Sequence, residues 1–262
     1  MSRSDTGFSL ISLLIAMVIG LFLMGGIGKV YLDSKVAYVA REAVATASEN
    51  ARFSIEDLRR TLMMVGRGID AAVDNSDNYD KPDDGLRTFP ALAANGIVDI
   101  DNADGNLGSS VIAVRYAEGI APCGGVGTIS GVTTVRFLLD ESSRLVCEID
   151  GVSQVLVSGV VRMRALYGVD TDVDGAANQY LTATEVEVRQ RWNNVVAIRV
   201  GLIVSSGHSP LPVQYRWNTD ENGPEVLGLL GTNFTMPDNT HFFKSVSTTI
   251  LLRNLNTTVQ RQ

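Results

Sequence analysis

Hydrophobic positions run unbroken over Phe8–Gly28, FSLISLLIAMVIGLFLMGGIG, twenty-one residues without a charge. About 20 such residues cover the ~30 Å of bilayer hydrocarbon as a helix. From Val36 the pattern turns one-sided: apolar or small residues recur at 36, 40, 43, 47, 51, 55, 58, 62 and 65. Steps of three and four place them on one helix face. On other faces Glu49, Arg52, Glu56 and Arg60 stand three or four apart, where opposite charges support a helix on its solvated side. The two patterns predict one helix from Phe8 to about Val65, near 85–90 Å at ~1.5 Å per residue. Its first half is apolar all round and its second half carries a single stripe. Gly20, Gly25, Gly26 and Gly28 weaken its middle by ~1 kcal/mol each relative to Ala. Gly66-Arg67-Gly68 ends it.

Residues 70–110, rich in Asp, Asn and Gly, read as a long surface loop region. Strand patterns follow at Val111–Tyr116, Thr133–Leu139, Arg144–Ile149, Gln154–Val157, Val160–Tyr167, Val195–Val204 and Val246–Leu252. Asp140-Glu141-Ser142-Ser143 is a hairpin connection between the second and third. A short helix is expected over Ala183–Trp192 with Thr182 as N-cap. One long helix followed by a run of strands gives an α+β class, the helix laid on an antiparallel sheet. The chain thus divides into a polar leader, residues 1–7; an apolar helix, 8–28; its amphipathic continuation, 29–66; and a globular domain, 67–262.

The chain has 262 residues and 45% hydrophobic content, enough for a sizeable core. Net charge is −7 and the pI about 4.9, which excludes a basic nucleic-acid-binding surface. No Lys/Arg cluster is present to hold anionic headgroups. A secretory signal peptide has a basic leader, a shorter apolar core and a small-x-small cleavage site. Here the leader MSRSDTG is short and polar and no A-x-A follows the apolar run, so the helix is kept and only the leader lost. An uncleaved signal-anchor helix is the alternative. The two cysteines, Cys123 and Cys147, belong to an exported domain and are expected to pair, a pair of buried thiols being the alternative. In the chain-entropy account such a bond stabilises by roughly 3–4 kcal/mol.

Gly7-Phe8-Ser9-Leu10-Ile11-Ser12-Leu13-Leu14-Ile15-Ala16-Met17 resembles the leader junction of type IV pilins and pseudopilins. The resemblance implies cleavage between Gly7 and Phe8 by a dedicated inner-membrane peptidase and methylation of the new N-terminus. It also implies that Ser12 and the Phe8–Gly28 face, Leu13, Ile15 and Ile19 among it, contact partner helices. The family usually has Glu at the fifth mature position, where this chain has Ser12. That departure resembles tip-located minor pilins and pseudopilins.

Tyr167-Gly168-Val169-Asp170-Thr171-Asp172-Val173-Asp174-Gly175, Trp192-Asn193-Asn194-Val195-Val196-Ala197-Ile198-Arg199-Val200 and Leu251-Leu252-Arg253-Asn254 resemble, in order, segments of the PilW family of minor pilins. The implied role is priming of type IV pilus assembly. The implied partners are other minor pilins, the major pilin and a tip adhesin. The implied locations are the inner membrane, with the domain in the periplasm, and then the pilus tip. A type II secretion tip pseudopilin, or a membrane-anchored calcium- or carbohydrate-binding adhesin that never assembles, are the alternatives.

Asp170-x-Asp172-x-Asp174-Gly175 has the ligand spacing that opens an EF-hand loop. Leu181 stands where the bidentate Glu belongs and Glu185 comes four residues late, so this is no EF-hand. A looser calcium site with Asn178, or a solvated acidic turn, both fit. Asp99-Ile100-Asp101-Asn102-Ala103-Asp104-Gly105 is a similar cluster. Enzyme signals are poor. His208 and His241 have no partner at metal spacing, and Gly207-His208-Ser209-Pro210 lacks the second glycine of a nucleophile elbow. Gly124-Gly125-Val126-Gly127 lacks the last glycine of a dinucleotide fingerprint. Tyr180, Trp192, Tyr215 and Trp217 are candidates for core packing or for a sugar- or protein-binding surface.

Overall fold

The structure, a computed structural model, describes residues 10–68, 110–149 and 151–254. Gly7, Phe8, the loop expected before Ser110 and the Asp99–Gly105 cluster lie outside the described residues.

Helix α1 spans Leu10–Leu62 and runs through all four glycines without a break. Residues 10–35 are exposed throughout. Ala43, Ala47, Ala51, Ser54, Leu58, Thr61 and Leu62 are buried, so the expected stripe is the face that packs. The helix stops three residues before the expected end, and a turn carries the chain through Gly66 and Gly68 at φ +77° and +72°. Those left-handed values suit glycine.

The strands are β1 (Ile112–Ile120), β2 (Thr128–Leu139), β3 (Arg144–Ile149), β4 (Val152–Ser158), β5 (Val160–Val169), β6 (Gln179–Leu181), β7 (Val195–Ser205), β8 (Val226–Leu229), β9 (Thr232–Thr235) and β10 (Phe243–Leu251). All pairings are antiparallel. The single sheet expected from sequence is divided: one sheet has the order β1-β2-β3-β4, a second β10-β7-β5-β6, and β8-β9 is a separate hairpin. The α+β class stands. β6, β8 and β9 are three or four residues long, too short for a period-2 signal to stand out. Helix α2 covers Ala183–Val188 and stops well before Trp192, because Gln190 turns to φ +50° and Trp192–Asn194 forms a 3-10 turn. Thr182 is its N-cap, with a reciprocal capping box to Glu185. A short α3 covers Thr219–Asn222.

The core joins the α1 stripe to Tyr116, Phe137, Leu145, Met163, Tyr167, Ile198 and Leu202, all essentially inaccessible. Each such side chain contributes roughly 1.5–3 kcal/mol of apolar transfer. Burial pushes the Tyr116 hydroxyl up to about 12 against the opposing charge of Arg60, and that hydroxyl donates to Ile120 O at 3.1 Å. β7 is buried along nearly its whole length because α1 and the β8–β9 hairpin both pack on it. Gly201 makes the second contact feasible: a Cβ there would lie 2.7 Å from Leu229.

β10 runs in the same direction as α1. Lys244 Nζ bonds Ser48 Oγ at 3.2 Å near one end, and Asn254 reaches Met63 just beyond the other. The domain therefore has a near end, where α1 enters beside Asn50 and Ser205, and a far end, where α1 stops.

Candidate functional site

The N-terminal half of α1 is the largest exposed apolar surface among the described residues. Leu13 is 62%, Ile15 55%, Ile19 54% and Phe22 79% exposed. The helix is long and apolar enough to cross a membrane. Such a surface is not stable in water and needs lipid or other apolar helices around it. Ser12 sits exposed among these residues and carries no charge into the segment. Gly26 leaves a shallow notch bordered by Phe22, Leu23, Ile27 and Val30, with nothing filling it. Small residues at such points let another helix approach closely.

At the far end, three separated sequence segments meet. The rings of Tyr167 and Trp192 stack edge to face, with centroids 4.9 Å apart and an interplanar angle of 79°. Trp192 Nε1 donates to Glu187 Oε2 at 2.6 Å. Asp170 N–H donates to Asn194 O at 2.8 Å, and Leu252 N–H to Val196 O at 2.9 Å. Asn254 Nδ2 donates to Met63 O and Val65 O at 3.0 and 3.1 Å. The YGVD, W-x-x-V-x-A-x-R-V and LRN segments are thus one structural corner that holds the end of α1. The role of Asn254 was not legible in the chain, because its partners lie 191 and 189 residues away in sequence, and that of Glu187 was missed because the turn at Gln190 that brings Trp192 back to it has no clear sequence signal.

Asp170, Asp172 and Asp174 come together with their ligand atoms within 4.8 Å of one another. Asp170 is buried and the other two are exposed. The Asp170 carboxylate already accepts from the N–H of Asp172, Val173 and Gly175, at 3.2, 2.7 and 2.8 Å. Burial alone would raise its pKa, but these bonds hold it below the usual carboxylate range. Asn178 Oδ1 accepts from Thr171 N–H at 2.7 Å and is turned into the same loop. The loop's own main-chain N–H groups therefore already occupy both oxygens of the Asp170 carboxylate. Val173, at its tip, is 66% exposed with φ +65°.

Cys123, in the turn between β1 and β2, is bonded to Cys147 on β3, with Cα atoms 5.5 Å apart. The aromatic residues separate. Trp192 is core, Tyr180 lies under Arg199 at 3.8 Å, and Tyr215 and Trp217 are 51% and 43% exposed. His241 Nδ1 lies 2.8 Å from Asp238 Oδ1, within a turn that Thr240 also caps. Burial would raise the Asp238 carboxyl, and the bonds from Thr240 and His241 outweigh it and lower it. His208 lies exposed in the turn after β7. These are turn-forming contacts, and no nucleophile–base–acid constellation is assembled from them.

Residues 130–254 match the family model for Type IV Pilus-assembly protein W, and residues 2–28 match the prokaryotic N-terminal methylation motif. The first match contains the whole far-end corner except α1, and the second contains the free apolar half of the helix. The chain is also similar to a solved type IV-like pilin from Thermus thermophilus, with 10% identity and a TM-score of 0.40, over 80% of this chain and 97% of that one. Among curated proteins, none matches.

Proposed function

We propose that this chain, a PilW-family minor pilin with an N-terminal methylation motif, primes pilus assembly and sits at the pilus tip. The observation that carries the reading is the division of α1: residues 10–35 are wholly exposed and without a charge as far as Gly28, while the face from Ala43 to Leu62 is packed on the domain. The free half is held in the inner membrane and then inserts among other pilin helices. Its packed half fixes the domain to that anchor. The protein acts by association, with other minor pilins, the major pilin and a tip adhesin as partners.

Ser12 supports the tip position. A carboxylate in an apolar segment is costly unless a cation pairs with it, and a subunit with none above it has no such cation. A neutral Ser12 avoids that cost, while the Phe8 ammonium remains free to pair with a carboxylate on a subunit beside or below. In this reading the domain faces the periplasm before assembly and the cell exterior afterwards.

The test has two parts. Intact-mass analysis of membrane-extracted protein should show a chain starting at methylated Phe8. A chain still carrying Gly7, or one cut after Gly28, would remove the pilin reading. Immunogold labelling should mark one end of each pilus, and deletion should strongly reduce surface pili. Labelling at many sites along the shaft would overturn the tip position, and unchanged piliation the priming role.

A further inference from the structure

The two four-stranded sheets have four outer strands among the described residues, β1, β4, β6 and β10. The turn after α1 bonds to the outer side of β1, with Gly66 N–H donating to Arg115 O at 2.9 Å and Ala117 N–H to Arg67 O at 2.8 Å. β6 has only three residues. β10 lies beside α1 and β8, and Ser245 Oγ donates to Gly228 O at 3.0 Å.

β4 is different. Its sequence VSQVLVS has no charge, proline or glycine, and four successive residues, Val152 to Val155, are exposed. Val152 is 73% and Val155 43% exposed. Outer strands of soluble proteins are ordinarily blunted by lysine, proline, a bulge or a covering element, because their free N–H and C=O groups template another strand. β4 does carry a bulge, at Leu156, since Leu145 pairs with Val157 and Val146 with Val155, but it lies beyond the exposed run, so the pairs Ile149↔Val152, Glu148↔Ser153, Cys147↔Gln154 and Val146↔Val155 are regular. Val152 closes a two-residue turn with Ile149, which makes that pair the hydrogen-bonded one. The alternation then aims the main-chain groups of Val152 and Gln154 at β3, and those of Ser153 and Val155 outward.

β4 also packs against α1. The other half of that helix is free for pilin helices, so one neighbour can reach both the helix and the strand. We propose that β4 is an intermolecular pairing edge that accepts an extended strand of a neighbouring pilin subunit. The main chain of that strand completes the hydrogen bonds of Ser153 and Val155. This rests on the minor-pilin reading above.

Full-length protein in native membranes and sheared pili tests it, with a photo-crosslinking residue placed singly at Ser153, at Ile19 and at the fully exposed Val126. Ile19 and Ser153 should both yield products with another pilin, and mass mapping should place the Ser153 product in an extended segment of it. Val126 should give only background. Val155→Pro removes an outward N–H while leaving the β3 side of the ladder intact. It should lower the Ser153 product by about tenfold, the equivalent of ~1.4 kcal/mol, with the Ile19 product retained. Val155→Thr should keep both products. Suppose Ile19 captures a pilin, but Ser153 gives background, a second copy of this chain or a protein that is not a pilin. The strand proposal then falls and the minor-pilin reading stands. Failure of Ile19 to capture any pilin would overturn the reading and the proposal together.

Discussion

The side-chain amide of Asn254 donates to the main-chain carbonyl of Met63, 191 residues earlier, at 3.0 Å, and also to Val65 O at 3.1 Å. Met63 and Val65 lie in the turn that follows α1, where carbonyls have no helical partner, and here Asn254, three residues beyond β10, supplies one. The segment after β10 and the turn after α1 are thereby tied together. The helix that carries the membrane anchor cannot shift along the sheet without breaking this contact.

Asn254→Ala should therefore lower stability by about 1–2 kcal/mol, the usual cost of lost bonds to partly buried carbonyls. For a domain of this size that is a fall in Tm of about 2–8 °C, read by thermal unfolding of the detergent-solubilised full chain. Asn254→Asp should not rescue it, because a carboxylate cannot donate.

Removal of the Cys123–Cys147 bond by a double change to Ala should also destabilise. The bonded residues are 24 apart in sequence, and closing a loop of that size limits the unfolded chain by about 3 kcal/mol. Non-reducing mass analysis of the native protein should show the loss of two protons. A Tm unchanged by the substitution would show that the turn before β2 is held by its other contacts.

Acid should act through Asp170. Its folded pKa is held below the ordinary ~3.9, so the folded chain binds this proton less readily than the unfolded one. The stabilisation is complete above about pH 4 and is lost as pH falls through the folded value. Asp170→Asn should melt lower than the native chain at pH 7, and the gap should stay constant down to about pH 5 and close below pH 4.

Calcium removal should leave the acidic turn intact. The three N–H bonds to the Asp170 carboxylate form it without a cation, so EDTA should not change the Tm. A rise in Tm with millimolar calcium that Asp172→Ala abolishes would instead establish a cation shared by Asp170, Asp172 and Asp174.

Much of this architecture was legible along the chain. The three-and-four spacing from Val36 to Val65 named the packed face of α1, because a helix repeats within a single turn and needs no partner to be recognised. The Asp140–Ser143 connection and the Thr182 cap were readable for the same reason: each is a contact between residues a few positions apart. The cysteine pair followed from there being only two in the chain. What the tertiary structure decided was every choice between distant partners. Seven strand patterns were visible, but their division into two sheets, the shielding of β7 by Leu229 over Gly201 and the meeting of Tyr167 with Trp192 were not. Nor was the open edge of β4. A strand exposes the same unpaired main-chain groups on both sides whatever its sequence, so its neighbours are selected by the packing of the whole domain. The sequence by itself determined which segments are helix and strand and which faces are apolar. Only the fold decided which strands lie at the edge of a sheet.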